Sequence, residues 1–185
     1  MAGISFYREN TDNHPMRTVI RWCVDILAVA AVAMILVSQL FNSVKMSGRS
    51  MEPALAGGDR LMMSRLKPSL IAPERFDIIV FTAGDDERQY IRRIVGLPGE
   101  RIRIEEGVIF INGEPLEDRF TGTVTIAGLA EEEMEIGNDE YFVLGDNVNN
   151  SEDSRFSHIG NIKEDEIMGT VWFRYSPIDR LSPVK

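Results

Sequence analysis

Three segments of the sequence hold polar side chains that the packing of a small domain does not require. The first centres on Ser50, which lies between Gly48 and Pro53 in a turn-forming stretch. A serine hydroxyl becomes a nucleophile when a neighbouring group takes its proton. A serine in such a turn is most often structural, so chemistry at Ser50 needs partners from elsewhere in the chain.

The other two segments supply cations, carboxylates and hydroxyls. One runs from Tyr90 to Glu100 and contains the adjacent arginines Arg92 and Arg93. The other runs from Gly145 to Arg155 and has almost no apolar side chain. Such a dense polar segment is costly directly after a strand unless its side chains hydrogen-bond one another. The alternatives are a plain strand with a Pro-Gly turn for the first and a solvated loop for the second.

In this order, and behind an apolar N-terminal helix, these segments resemble the type I signal peptidases of bacteria, a family of Ser/Lys peptidases. Four ordered boxes carry the resemblance: Ser50-Met-Glu-Pro-Ala-Leu55, Phe76-Asp-Ile-Ile-Val-Phe81, Tyr90 to Glu100, and Gly145 to Arg155. Four such boxes make chance similarity negligible. The short connection between Gly113 and Asp139 is similar to that of the compact Gram-positive form.

The resemblance implies a membrane-anchored serine endopeptidase that removes N-terminal signal peptides from exported preproteins after small residues, in Ala-x-Ala sequences. Ser50 would form an acyl-enzyme, and its backbone N–H would hold the developing oxyanion. Some members add a serine hydroxyl two residues earlier, where this chain has Gly48. Extended substrate is expected beside the strand before Ser50 and around Tyr90 and Ile91, with Met51 also in contact with it.

The same resemblance implies supporting roles in the third segment. Ser151 matches a serine that orients the general base. Asp146 matches an acid that pairs with the arginine after the base, here Arg93. Asp153 and Arg155 match an ion pair that shapes the site.

One departure from the family pattern bears on the chemistry. The position of the general-base lysine is occupied by Arg92. A lysine acts as a base when burial and positive neighbours lower its pKa from about 10.4 towards neutrality. A guanidinium begins at about 12.5, so its neutral form at pH 7 costs about 7.5 kcal/mol. Arg92 is therefore not expected to deprotonate Ser50.

No other side chain replaces the lysine by its position in the sequence. Lys45 lies in the juxtamembrane stretch, and Lys67 and Lys163 fall outside the catalytic boxes. His158 follows the last box closely. Relatives outside bacteria use a histidine base, but theirs occupies the lysine position.

Three hypotheses of function remain open at this point. The first is an active signal peptidase with an unusual base. The second is a catalytically impaired paralogue that acts as an assembly or binding factor for exported proteins. The third is a membrane-anchored β domain without a peptide site, which the four boxes argue against. The presence of both Ser50 and Ser151 favours residual chemistry, because a protein that only binds has little physical reason to keep them.

Short strands must position these residues. β-Branched and aromatic runs between turn residues predict seven of them: Arg60–Ser64, Asp77–Phe81, Tyr90–Val95, Arg101–Glu105, Val108–Ile111, Glu140–Leu144 and Met168–Tyr175. The acidic stretch Ala130–Glu135 is expected to be a surface loop or one helical turn. The predicted fold class is mainly β, and the resemblance implies a partly open barrel of the signal-peptidase type behind a single transmembrane helix.

That helix is predicted from the apolar run Trp22–Phe41, whose 20 residues would span about 30 Å, the thickness of a bilayer core. The alternatives are a buried core helix and a cleaved signal peptide. Three arginines precede the run, while only Lys45 follows closely. The excess of positive charge places residues 1–20 in the cytoplasm, 21–42 in the membrane and 43–185 outside the cell.

Composition excludes several other classes of protein. The 185 residues have a formal net charge of −9, which argues against a general nucleic-acid binder with a basic surface. A single cysteine, Cys23, rules out an intramolecular disulfide, and two histidines add too little for a structural metal site. We expect no metal and no cofactor. The expected partners are signal peptides and membrane lipid, and no nucleic acid.

Overall fold

The computed structural model describes residues 15–66, 70–83, 88–116, 120 and 122–184. The chain divides into two units, Met1–Gln39 and Leu40–Lys185. The described part of the first unit is helical, and that of the second is built mainly from strands.

Helix α1 covers Pro15–Leu40. Its first 21 residues, Pro15–Ile35, are long and apolar enough to cross a membrane. None of this stretch is buried, whereas a core helix of a soluble domain would be mostly covered. The helix begins earlier than the apolar run predicted, and it ends before Phe41, because Phe41 is the first residue of a strand.

Twelve strands follow in the described residues: β1 (Phe41–Lys45), β2 (Arg60–Ser64), β3 (Ile78–Thr82), β4 (Gln89–Gly96), β5 (Arg101–Glu105), β6 (Val108–Ile111), β7 (Glu114–Pro115), β8 (Met134–Glu135), β9 (Glu140–Leu144), β10 (Ile162–Lys163), β11 (Ile167–Ser176) and β12 (Ser182–Pro183). All seven strands predicted from the sequence are present, and β2, β5, β6 and β9 have the predicted bounds. Strand β1 was expected only as the strand before Ser50 that the resemblance implies, without bounds, and the two-residue strands were not predicted. The acidic stretch contains β8, after a short 3-10 turn over Gly128–Ala130.

The strands form two antiparallel sheets. The larger has the order β1-β2-β11-β3-β4-β9-β10, with β12 paired to β11, and the smaller has the order β7-β6-β5-β8. The mainly β prediction is confirmed. The expected partly open barrel is better described as two open sheets, since β1 and β10 lie at opposite ends of the larger strand order and the sheet does not close.

Strand β4 carries the two candidate arginines into the interior. Every residue of β4 after Gln89 is buried, because other parts of the domain cover both faces of the strand. Successive side chains of a strand point to opposite faces. Arg92 and Arg93, which are 6% and 5% exposed, therefore serve two different parts of the structure.

Candidate active site

Ser50 lies in the turn after β1, and apolar side chains hold this turn in place. Met46, Met51 and Leu55 are buried in one core cluster with residues of β1, β2, β3, β4 and β11. The Ser50 carbonyl accepts a hydrogen bond of 2.9 Å from the backbone N–H of Asn147, in the polar segment after β9. The turn is thus held by apolar packing and by a hydrogen bond from the polar segment. Met51, which was expected to contact substrate, is fully buried in this core instead of lining a cleft.

Arg92 reaches Ser50 directly. Its Nη1 donates hydrogen bonds to Ser50 Oγ at 2.8 Å and to the Ile91 carbonyl at 2.7 Å. Its Nε donates to the Glu152 carbonyl at 2.8 Å. The guanidinium carbon lies 5.6 Å from the centre of the Tyr90 ring. The structure therefore brings the position of the family base into contact with the candidate nucleophile.

Burial lowers the pKa of Arg92 from its ordinary value, because the charged form loses solvation. The nearby negative charges of Asp153 and Glu152 oppose this effect and raise the pKa. A charged guanidinium is a donor only and has no lone pair to accept a proton. The observed geometry suits stabilisation of negative charge at Ser50 Oγ, and it does not provide a general base.

Arg93 faces the other way and meets Asp146. Its Nε and Nη2 each donate to one carboxylate oxygen at 2.7 Å, and its Nη1 donates to the Phe76 carbonyl at 2.7 Å. Both side chains of the pair are nearly covered, at 6% and 4% exposure. Two parallel hydrogen bonds between charged groups set both distance and orientation. This pair ties β4 to the polar segment that holds Ser50.

A second buried ion pair organises the same polar segment from within. Arg155 donates from Nε and Nη2 to the two oxygens of Asp153, at 2.8 and 2.9 Å. Asp153 also accepts the backbone N–H of Gly145 at 3.2 Å, and Arg155 donates to the carbonyls of Ile126 and Val148. Asp153 and Arg155 are 0% and 2% exposed. The pair therefore holds the two ends of the segment Gly145–Arg155 together. The hydrogen bond from Arg155 to the Ile126 carbonyl also links this segment to the residues before Gly128.

Ser151 lies beside Ser50 without binding to Arg92. Its Oγ is buried and has no hydrogen-bond partner among the described residues. Gly145 explains how close the two serines lie: a Cβ at Gly145 would be 2.3 Å from Ser151 Oγ and 2.5 Å from the Ser50 carbonyl oxygen. Only a glycine fits between them. Sequence analysis did not single out Gly145, although its place in the polar box was a signal.

These residues meet at an open cleft of about 700 Å³, lined by residues 44–50, 88–92 and 149–152. Strand β1 pairs only with β2, and residues 89–92 of β4 pair with β3 but have no register partner in β9. Each of these two segments therefore leaves one strand edge unpaired among the described strands. Tyr90 and Ile91, the predicted substrate contacts, both line the cleft.

The structure also shows which of the other candidate bases lie at the cleft. Lys45, which was set aside because of its juxtamembrane position, is exposed and lines the cleft. His158 and Lys163 are exposed and do not line it. Lys67 lies outside the described residues. Sequence spacing could not reveal the position of Lys45, because the resemblance implied a strand before Ser50 without its bounds or its pairing.

Comparison with known proteins identifies the class. The family model for signal peptidase, peptidase S26, matches residues 19–176. Signal peptidase I of Bacillus caldolyticus is 34% identical over 174 residues, which cover 87% of this chain and 91% of that protein. Signal peptidase I T of Bacillus subtilis is 27% identical over 186 residues, which cover 96% and 95%. The chain belongs to the signal peptidase family, and the resemblance carried by the four boxes is confirmed.

The chain is also similar to a solved structure of a signal peptidase I from Enterococcus faecalis, with 28% sequence identity and a TM-score of 0.45. The alignment covers 53% of this chain and 95% of the Enterococcus faecalis chain. By its family the chain is a peptidase of the class that cleaves signal peptides. The apolar helix α1 is consistent with a membrane anchor.

Proposed function

We propose that this chain is a membrane-anchored serine endopeptidase that cleaves signal peptides from exported preproteins after small residues, with Ser50 as the nucleophile. The observation that carries the proposal is the 2.8 Å contact between Arg92 Nη1 and Ser50 Oγ beside a cleft with two unpaired strand edges. Residues 1–20 form the cytoplasmic tail, 21–42 the transmembrane segment, and 43–185 the domain on the outer face. Membrane lipid and the signal peptide are its partners.

The cleft suits an extended peptide. An extended chain adds to an unpaired strand edge through its backbone groups, while its alternate side chains enter pockets on one face. The edges of β1 and of residues 89–92 both border the cleft. Small side chains such as alanine fit the shallow surface beside Tyr90 and Ile91, so an Ala-x-Ala sequence would place its last carbonyl near Ser50.

Ser50 Oγ then attacks that carbonyl carbon, and the peptide bond breaks as the leaving amine of the mature protein takes a proton from solvent. The acyl-enzyme that remains is hydrolysed by water. The backbone N–H of Ser50 has no hydrogen-bond partner among the described residues and is free to bind the oxyanion. Gly48 provides no hydroxyl for a second donor. The buried pairs Arg93–Asp146 and Asp153–Arg155 hold the surrounding loop rigid.

Arg92 limits the rate in this scheme. Its guanidinium stabilises negative charge on Ser50 Oγ but accepts no proton. The hydroxyl proton therefore leaves to water or hydroxide in the cleft, which makes cleavage slow at neutral pH and faster as the hydroxide concentration rises. The second candidate function, a binding factor for exported proteins, is favoured by the same absence of an acceptor on Arg92.

The proposed activity is tested with the full chain in detergent and a preprotein that bears an Ala-x-Ala junction. We expect slow cleavage at the junction, detected as the mass of the released mature protein, and its loss in Ser50→Ala. Arg101→Gln is the matched control, because Arg101 is exposed in the smaller sheet and lies outside the cleft. Cleavage that persists in Ser50→Ala would contradict the assignment of the nucleophile. A preprotein that binds without being cleaved at any pH would support the binding factor.

A further inference from the structure

The charge of the cleft differs from that of the whole chain. Among the described lining residues, Lys45, Arg49, Arg88 and Arg92 are basic and only Glu152 is acidic, although the chain has a net charge of −9. Arg49 pairs with Glu52 at 3.0 Å, and Arg88 lies 3.8 Å from Glu152. Local carboxylates thus partly balance two of the cleft cations at its exposed rim.

Arg92 is not balanced in this way. It is 6% exposed, and within the described part of the chain it forms no ion pair. Its hydrogen bonds go to two carbonyl oxygens and one hydroxyl, all from Nε and Nη1. The charges of Asp153 and Glu152 act on Arg92 from nearby, but neither carboxylate is hydrogen-bonded to it, so its Nη2 keeps hydrogens for a further acceptor. An anion bound in the cleft would complete the site.

Three donors at Ser50 and Arg92 are available to such an anion. Arg92 Nη2 donates to none of the described residues, so both of its hydrogens are available. Ser50 Oγ accepts from Arg92, which leaves its own hydrogen to donate. The Ser50 backbone N–H is unpaired in the described structure. A carboxylate has two oxygens with about four acceptor sites, and its hydrogen bonds to a guanidinium are among the strongest in proteins.

We infer that this cleft binds the C-terminal carboxylate of peptides that end in a small residue, so that the signal peptide released by cleavage stays bound. The inference rests on the proposed function, which puts the cleaved carbonyl beside Ser50. Hydrolysis of the acyl-enzyme adds water to the acyl carbon, returns a hydrogen to Ser50 Oγ and leaves a carboxylic acid that gives its proton to solvent. The resulting carboxylate faces the Arg92 guanidinium, which stays charged.

A neutral lysine at the same position would not hold the product in this way. A general base has to be uncharged when it takes the proton from the serine, so it presents no full positive charge to the product. Arg92 therefore shifts the site from turnover towards retention of the product.

The test compares two probes on the full chain in detergent: a fluorescent peptide ending in Ala-x-Ala as a free acid, and the same peptide with a C-terminal amide. Neither probe carries a residue after its last alanine, and the mass of the amide recovered after the measurement verifies that it has not been hydrolysed to the acid, so that binding alone is compared. We expect the acid to bind at least about tenfold more tightly, since hydrogen bonds between a carboxylate and a guanidinium are stronger than those of a neutral amide. Arg92→Gln should remove this preference, while Arg101→Gln should keep both the preference and the affinity for the amide.

Equal affinity of the wild type for acid and amide would overturn the inference and leave the proposed peptidase function standing. Binding of neither probe would contradict the peptide cleft itself, and with it both proposals. A preference that survives in Arg92→Gln would also overturn the inference, because Lys45, Arg49 or Arg88 would then bind the carboxylate. If Arg92→Gln does not fold, Ser50→Ala takes its place, and the acid preference is expected to fall because a converging donor is lost.

Discussion

At the scale of single residues, Arg92 and Ser50 make opposite demands on the site. As the proposed nucleophile, Ser50 needs a neighbour that accepts a proton, whereas Arg92 offers only donors and a charge. Burial lowers the pKa of Arg92, but Asp153 and Glu152 act in the opposite direction. The contact at 2.8 Å therefore orients the hydroxyl without activating it. The substitution Arg92→Lys separates orientation of the hydroxyl from its activation, because a lysine can lose its proton and act as a base.

We expect Arg92→Lys to cleave preprotein faster than the wild type. Burial disfavours the charged form of a lysine, so its pKa falls below the ordinary value of about 10.4, and its neutral form becomes available as pH rises. The rate of the variant should rise with pH and then level off, whereas the wild-type rate should keep rising with hydroxide. Lysine is shorter than arginine, so the gain should be partial. The measurement is the initial rate of cleavage from pH 6 to pH 10.

Two variants check this prediction. The gain should vanish in Arg92→Lys/Ser50→Ala and should not appear in Arg101→Lys, which changes an exposed arginine away from the cleft. A wild type that already cleaves briskly and is unaffected by Arg92→Ala would count against it and would point to another base. If neither the wild type nor any variant cleaves the preprotein, the result would support the function of a binding factor.

Gly145→Ala should lower both stability and cleavage. The added methyl group would overlap Ser151 Oγ and the Ser50 carbonyl, so at least one serine must move. Overpacking of this kind costs about 1–3 kcal/mol of the free energy of unfolding. Gly113→Ala is the comparison: its Cβ meets nothing within 4 Å, although its φ of +84° makes the change strained. Both variants should unfold more easily, and only Gly145→Ala should cleave more slowly.

At the scale of elements, β4 and the polar segment after β9 form one unit through buried ion pairs. Arg93–Asp146 joins the strand to the segment, and Asp153–Arg155 shapes the segment itself. Both pairs are almost completely covered, so neither partner can turn to water when the other is removed. The geometry around Ser50 depends on these pairs, because the Asn147 N–H that holds the Ser50 carbonyl belongs to the same segment.

Asp153→Ala and Arg155→Ala should each reduce the free energy of unfolding by about 3–5 kcal/mol, because each leaves a buried charge without its partner. Denaturant unfolding of the full chain in detergent measures the change. Glu105→Ala is the matched control, since Glu105 and Arg103 form an exposed pair at 53% and 43% exposure, and such pairs contribute about 0–1 kcal/mol. Unchanged unfolding of both Asp153→Ala and Arg155→Ala would show that the pair does not stabilise the domain.

At the scale of the whole molecule, an apolar helix precedes an acidic β domain. Three arginines before the apolar run against a single nearby lysine after it favour an internal N-terminus. A membrane anchor also suits the proposed substrate, because a signal peptide is itself held in the membrane by an apolar segment. Enzyme and substrate would then meet within the plane of the membrane.

We expect protease added outside intact cells to digest residues 46–185 and to spare the N-terminus. Tags at the two ends, detected by immunoblot before and after the cells are opened, give the readout. A cytoplasmic protein of the same cells serves as the control for intact membranes. Recovery of a protected C-terminal tag would contradict the proposed topology.

Local patterns in the sequence were sufficient for much of the fold. Short apolar runs between turn residues determined β2, β5, β6 and β9 to the residue, because strand length and hairpin turns depend on near neighbours. The helix was equally plain, although its end at Leu40 was not, since Phe41 is apolar enough for either element. The four boxes were sufficient for the family, because their order and content survive divergence elsewhere.

Only the tertiary structure decided how the site is assembled. Two adjacent arginines in a sequence are equivalent donors, and the alternation of β4 directs Arg92 to Ser50 and Arg93 to Asp146. Pairing of β1 with β2 brings Lys45 to the cleft, and packing of the turn buries Met51. These outcomes depend on contacts between residues far apart in the chain. Sequence spacing therefore determined which residue types were available, and packing determined which of them meet.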